Sequence, residues 1–142
     1  MRILLAASAL ALLTVSGCAG TSQTPPATKP APGKALAGGE WAVFEINGQP
    51  IVPDSKPTIT FEEGRVFGAG SCNRFMGGYT LSPDGVKLEM SQMASTMMAC
   101  PDPLMQQEGA FLKTLGEVTG YSVSGNVLTL TTAGGQTVKA KR

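Results

Sequence analysis

Turn-forming residues spaced a strand's length apart limit this chain to a small set of folds. Asn47-Gly48, Glu63-Gly64, Pro83-Asp84-Gly85, Gly125-Asn126 and Gly134-Gly135 recur between short runs in which every second residue is apolar. Thr58-Ile59-Thr60-Phe61 and Val86-Lys87-Leu88-Glu89-Met90 are such runs, and a period of two is that of a half-buried strand. The rhythm predicts short antiparallel hairpins closed into a barrel or sandwich of about seven or eight strands. Trp41, Val43, Phe44 and Ile46 are apolar on both faces, which predicts a central first strand. Val127 to Thr131 and Thr137 to Lys141 form the closing hairpin, with Leu128, Leu130, Val138 and Ala140 facing inward. One segment breaks the alternation: Leu104, Phe111, Leu112 and Leu115 share one face at helical spacing. The spacing predicts a helix over Leu104 to Leu115, with Asp102 as N-cap, Pro103 at its first position and Gly116 ending it. The fold class is therefore mainly β with one helix packed on or in the sheet, an α+β domain.

The N-terminus sets the compartment. Arg2 precedes an apolar stretch from Ile3 to Val15, and no acidic residue appears before Cys18. This is a secretory signal with a small-residue end, too short and too soon followed by Pro25 and Pro26 to span a bilayer, which takes about 20 apolar residues. Val15-Ser16-Gly17-Cys18 resembles a bacterial lipoprotein lipobox, which implies cleavage before Cys18 and acyl chains on that residue. Several chains on one residue hold a protein to a membrane where one binds only marginally. An ordinary signal peptide with a chance cysteine is the alternative. Ala19 in place of aspartate resembles the outer-membrane sorting choice. Residues 18–38, with four prolines and no aromatic, read as the lipidated cysteine and a tether of up to roughly 60 Å. Residues 1–17 are the signal, and 39–142 form one domain.

Composition removes several functions. Losing Arg2 with the signal leaves ten of the eleven basic residues against ten acidic ones, too even a balance for a nucleic-acid partner. No basic cluster points to anionic head groups, so the membrane is reached through the lipid anchor, and the domain is expected to be a monomer. With Cys18 acylated, Cys72 and Cys100 are the remaining cysteines, and in an oxidising compartment two thiols pair. A catalytic thiolate at Cys72 would need a base, and the chain contains no histidine. Arg74 reads as a loop residue whose guanidinium satisfies backbone carbonyls, ahead of an anion site. Gly77 and Gly78 read as freedom for a turn into Tyr79. Gly68-Ala69-Gly70 begins like a dinucleotide fingerprint, but Asn73 stands where the third glycine belongs. Met90, Met93, Met97 and Met98 crowd beside Cys100, with Met105 near. Thioethers suit copper(I), but core packing is the reading preferred here, with no metal and no cofactor assigned.

Gly70-Ser71-Cys72-Asn73-Arg74-Phe75 with Gly77-Gly78-Tyr79, then Met93 to Asp102, Gln107-Glu108 and Phe111-Leu112, resemble the META domain or HslJ family. The likeness runs from about Trp41 to the C-terminus and makes Asn73, Arg74, Gly77 and Gly78 the family-motif loop. It implies a small antiparallel β domain with a helix, often in an envelope lipoprotein, associated with heat shock and novobiocin tolerance. It also implies a fold similar to a lipid-binding pilot lipoprotein, hence an internal apolar cavity to look for. It carries no catalytic residues. The expected function is a non-enzymatic envelope lipoprotein, anchored in the outer membrane and facing the periplasm, that binds an envelope protein or an apolar ligand. The alternatives are a hydrolase using two converging carboxylates and a methionine-rich copper protein. Glu62-Glu63 lies in a turn and reads as solvated.

Overall fold

A computed structural model describes residues 33–142. Cys18, with the signal and most of the tether, lies outside the described residues. Ten strands and one helix follow in chain order: β1 Glu40–Ile46, β2 Gln49–Pro50, β3 Thr58–Glu62, β4 Arg65–Ala69, β5 Arg74–Leu81, β6 Leu88–Met90, β7 Ala94–Ser95, α1 Asp102–Gly116, β8 Val118–Ser124, β9 Val127–Thr132 and β10 Thr137–Lys141.

Eight of the strands run in the order β6-β5-β4-β3-β1-β10-β9-β8, all antiparallel, while the two-residue β2 and β7 pair with β1 and β5. The ends of this path approach each other. Lys87, just before β6, bridges Gly120 of β8, and the Tyr121 hydroxyl donates to the Gly85 carbonyl at 3.0 Å. The sheet is thus a nearly closed barrel, within the architecture the turn rhythm predicts. Asn47, at φ 52°, and Gly48, at φ 77°, turn β1 back toward β2, and Gly64 at φ 73° turns β3 into β4. Left-handed backbone of this kind is why asparagine and glycine occupy those corners.

Inside, Trp41, Ile59, Phe61, Val66, Phe75, Leu88, Leu128, Leu130, Val138 and Ala140 pack into one core. β1 is central, as its composition suggests, but the apolar residues on both faces have a more particular cause. Val43 pairs with Ala140 and Glu45 with Lys139, so Phe44 is an extra residue in the ladder. The bulge resets the alternation and turns Ile46 inward after Trp41 and Val43. Val86 lies outside β6 and is exposed, so the alternating run there is shorter than its sequence suggests.

The helix covers the predicted span and one further turn's worth of ends. It starts at Asp102 with Pro101 in the capping position and no side-chain cap, so Asp102 is in the first turn and does not cap it. The Pro101 carbonyl accepts from the Leu104 and Met105 amides at 3.0 and 3.2 Å, satisfying donors that an aspartate cap would otherwise take. α1 stops at Gly116, as expected. Phe111 and Leu115 are buried, and the Phe111 ring meets Phe75 edge-on at 5.5 Å. Asn47 at the β1–β2 turn donates to Thr114 at 3.0 Å, so the helix closes the barrel end where that turn lies.

The opposite end is closed by residues 33–37, which composition alone groups with the tether. Leu36 is fully buried and its carbonyl accepts from the Trp41 indole at 2.9 Å. Arg142 stacks over the Trp41 ring at 4.2 Å and donates to the carbonyls of Ala37 and Ala35 at 2.8 and 3.1 Å.

Candidate functional site

Of the family-motif residues, Arg74, Gly77 and Gly78 lie in β5 and Asn73 in the loop between β4 and β5, which faces the first turns of α1. Asn73, 3% exposed, is its hub. Its amide nitrogen donates to Glu108 Oε1 at 2.7 Å and to the Met98 carbonyl at 3.2 Å. Its amide oxygen accepts from the Met98 amide at 2.6 Å and the Thr96 hydroxyl at 2.9 Å. Both ends of one side chain therefore bind the loop to the helix and to the segment after β7.

Glu108 completes the knot from the helix side. Its Oε2 accepts the backbone amides of Cys72 and Asn73, each at 2.7 Å. Burial raises the carboxyl pKa, but the amide donors of Asn73 and Cys72 outweigh it and hold the group below its ordinary range. Gly70 belongs to the same contact, because a Cβ there would run into the Glu108 carboxylate. Beside Glu108 in the chain, Gln107 donates to Ser55 and Ser71 at 2.6 and 2.7 Å and accepts from the Val52 amide at 2.6 Å. The disulfide Cys72–Cys100, with Cα atoms 6.1 Å apart, fastens the loop to the chain two residues before the helix.

The arrangement is chemically saturated. Glu108 is the only buried carboxylate among the described residues, and its oxygens are occupied by amide donors, so it offers neither a base nor half of a converging pair. Glu62 is exposed and pairs with Arg65 at 2.7 Å. The barrel interior holds the core side chains, and the groove on β4 and β5 opens on the surface.

Other motif residues sit differently from their sequence reading. Arg74 binds Thr96 only through its backbone, at 3.2 and 3.0 Å, and its guanidinium has no ion-pair or hydrogen-bond partner among the described residues. The arginine that satisfies backbone carbonyls is Arg142. Gly77 and Gly78 lie within β5, not in a turn. Gly77 packs closely under Met93, because a Cβ there would come 2.7 Å from the Met93 sulfur and push that flexible side chain aside. Met90 is buried and Met93 packs on the core, whereas Met97 is 93% and Met98 59% exposed, so core packing accounts for half of the methionine run. Glu108 and Gln107 are structural residues that sequence reasoning left unassigned; their position in the motif, adjoining the buried helix face, is the signal that could have found them.

A family model described as META domain matches residues 34–142. The chain belongs to the META domain family. Among curated proteins, "Heat shock protein HslJ" of Escherichia coli (strain K12) is 32% identical over 90 residues, 62% of this chain and 63% of that protein. The match therefore spans less than two thirds of the curated relative. A solved NMR structure of a protein from Burkholderia xenovorans is similar at a TM-score of 0.62 and 27% identity, covering 91% of this chain and 98% of that one. A crystal structure of a DUF4847 family protein from Bacteroides vulgatus gives a TM-score of 0.61 at 16% identity, over 77% of this chain and 95% of that chain, a likeness of fold alone. In this META domain the motif loop is thus the latch between barrel and helix.

Proposed function

We propose that the chain is a non-enzymatic envelope lipoprotein, anchored in the outer membrane through acylated Cys18, whose META domain binds a partner or an apolar ligand in the periplasm and contributes to tolerance of envelope stress and antibiotics. The observation that carries the reading is the saturation of the motif site: the one buried carboxylate among the described residues is bound by loop amides, while thioethers face solvent at Met97 and Met98. Chemistry needs a reactive group with spare valence, and a rigid surface with exposed apolar side chains serves binding instead. The likeness to a protein named for heat shock supports the stress setting.

The test is a strain deleted for this chain. It should become more sensitive to novobiocin and grow less well after heat shock, with recovery on expression of the wild-type chain and none with Cys18→Ser. Unchanged sensitivity in the deletion strain under both stresses would overturn the proposal.

A further inference from the structure

The outer face of β4 and β5 holds an open groove of about 560 Å³ that neither the latch nor the core uses. That volume is in the range of small-molecule sites. Its outward residues come from registered pairs: Arg65 opposite Gly78, Phe67 opposite Met76, and Ala69 opposite Arg74. They share one face because side chains alternate along a strand and the intervening Val66 and Phe75 are buried. Met76 is 66% exposed and Phe67 half-buried, so the middle of the groove is apolar yet open to water.

The two ends differ in charge. At one, Arg65 donates to Glu62 at 2.7 Å, and the pair is neutral overall. At the other, the Arg74 guanidinium has no partner among the described residues. Four strand residues, about 13 Å, separate Arg74 from the level of Arg65. The groove is therefore an apolar strip with one uncompensated positive charge at one end.

We propose that this groove binds a small amphiphilic carboxylate, its head on Arg74 and its apolar chain over Met76 and Phe67 toward the Glu62–Arg65 pair. The planar guanidinium fork matches a carboxylate in two parallel hydrogen bonds, which fixes the head. The apolar part has about 10 Å of strip to cover before it meets the neutral ion pair. A cationic amphiphile would set like charge against Arg74, and a neutral one would leave the guanidinium to water. The proposal gives a ligand class to the binding role above and uses that role only for its setting in the envelope.

The full chain carrying Cys18→Ser, which has no acyl group of its own to compete, is titrated with decanoate below its micelle concentration while backbone amide NMR signals are followed. Saturable shifts centred on Phe67, Arg74 and Met76 are expected, with decyltrimethylammonium giving none there. Arg74→Gln should weaken decanoate by about tenfold, the loss of a charge-assisted contact, and Met76→Ser should weaken it as well. Both side chains are exposed, and retained signal dispersion in each variant shows that the fold is intact. Shifts centred on the groove beside Met97 and Met105, affinity unaltered by Arg74→Gln, or no saturable binding would each overturn the proposal. None of these would touch the novobiocin result, so failure of the groove and failure of the envelope role are read separately.

Discussion

Glu108 does in this protein what no acidic residue on a helix advertises. In sequence, Gln107-Glu108 is part of the family motif with no role attached, because the loop that needs its carboxylate is 35 residues away at Asn73. Only folding brings the amides of Cys72 and Asn73 within 2.7 Å. The pairing of Cys72 with Cys100 was legible for the opposite reason: few cysteines in an oxidising compartment leave few partners. Glu108→Gln puts an amide nitrogen or a weaker acceptor before those donors and should cost about 2 to 3 kcal/mol near neutral pH. The pH dependence has a definite sign. The folded carboxyl pKa is depressed below the usual 4.5, so the unfolded state binds more protons in the interval between the two values. The contribution of Glu108 is complete above that usual value and is lost as pH falls through the folded one. Denaturant unfolding at neutral pH and at about pH 3 should therefore show the gap between wild type and Glu108→Gln narrowing on acidification. A gap independent of pH would remove the carboxylate from the latch.

Among the elements, those set by local chemistry were legible and those set by distant partners were not. Leu128, Leu130, Val138 and Ala140 alternate cleanly and are all fully buried, and α1 ends at Gly116, where the spacing placed its end. The bulge at Phe44 was not legible, because it is defined by register against β10, almost a hundred residues later. Asp102 looked like a cap because local propensity favours it, yet the Pro101 carbonyl takes the first helical amides. Two-residue β7 is held by pairing with Phe75 and Met76 and leaves Met97 and Met98 beyond it on the surface. The disulfide is an element-scale link, joining the β4–β5 loop to the start of α1 across 28 residues. Restricting a loop of that length in the unfolded chain stabilises by about 3.5 kcal/mol on the entropic model. Cys72→Ala should lose about that amount, and Cys72→Ala/Cys100→Ala should lose no more than the single variants, because both delete one link. Unfolding free energies that add across the pair would show the two cysteines acting separately.

At the scale of the molecule, a nearly closed barrel removes most of the sheet edge that would otherwise invite pairing with other chains. One end is covered by α1 and the other by the turn around Leu36, held by Trp41 and Arg142. The turn rhythm predicted the barrel class; the closing bridge between Lys87 and Gly120 and the clasp by the last residue depend on contacts over the whole chain and leave no local mark. The clasp also places the start of the described chain at the barrel end away from the motif loop. The groove on β4 and β5 lies on the barrel wall, clear of both closures. On the function proposed above, such a domain presents its surfaces from the end of a tether and acts by being held in the envelope. Metabolic labelling with a clickable fatty acid, followed by membrane fractionation, tests that most directly. The account predicts labelled wild-type protein in the outer-membrane fraction and unlabelled, released protein for Cys18→Ser; wild-type protein without label, or label retained on the serine variant, would contradict it.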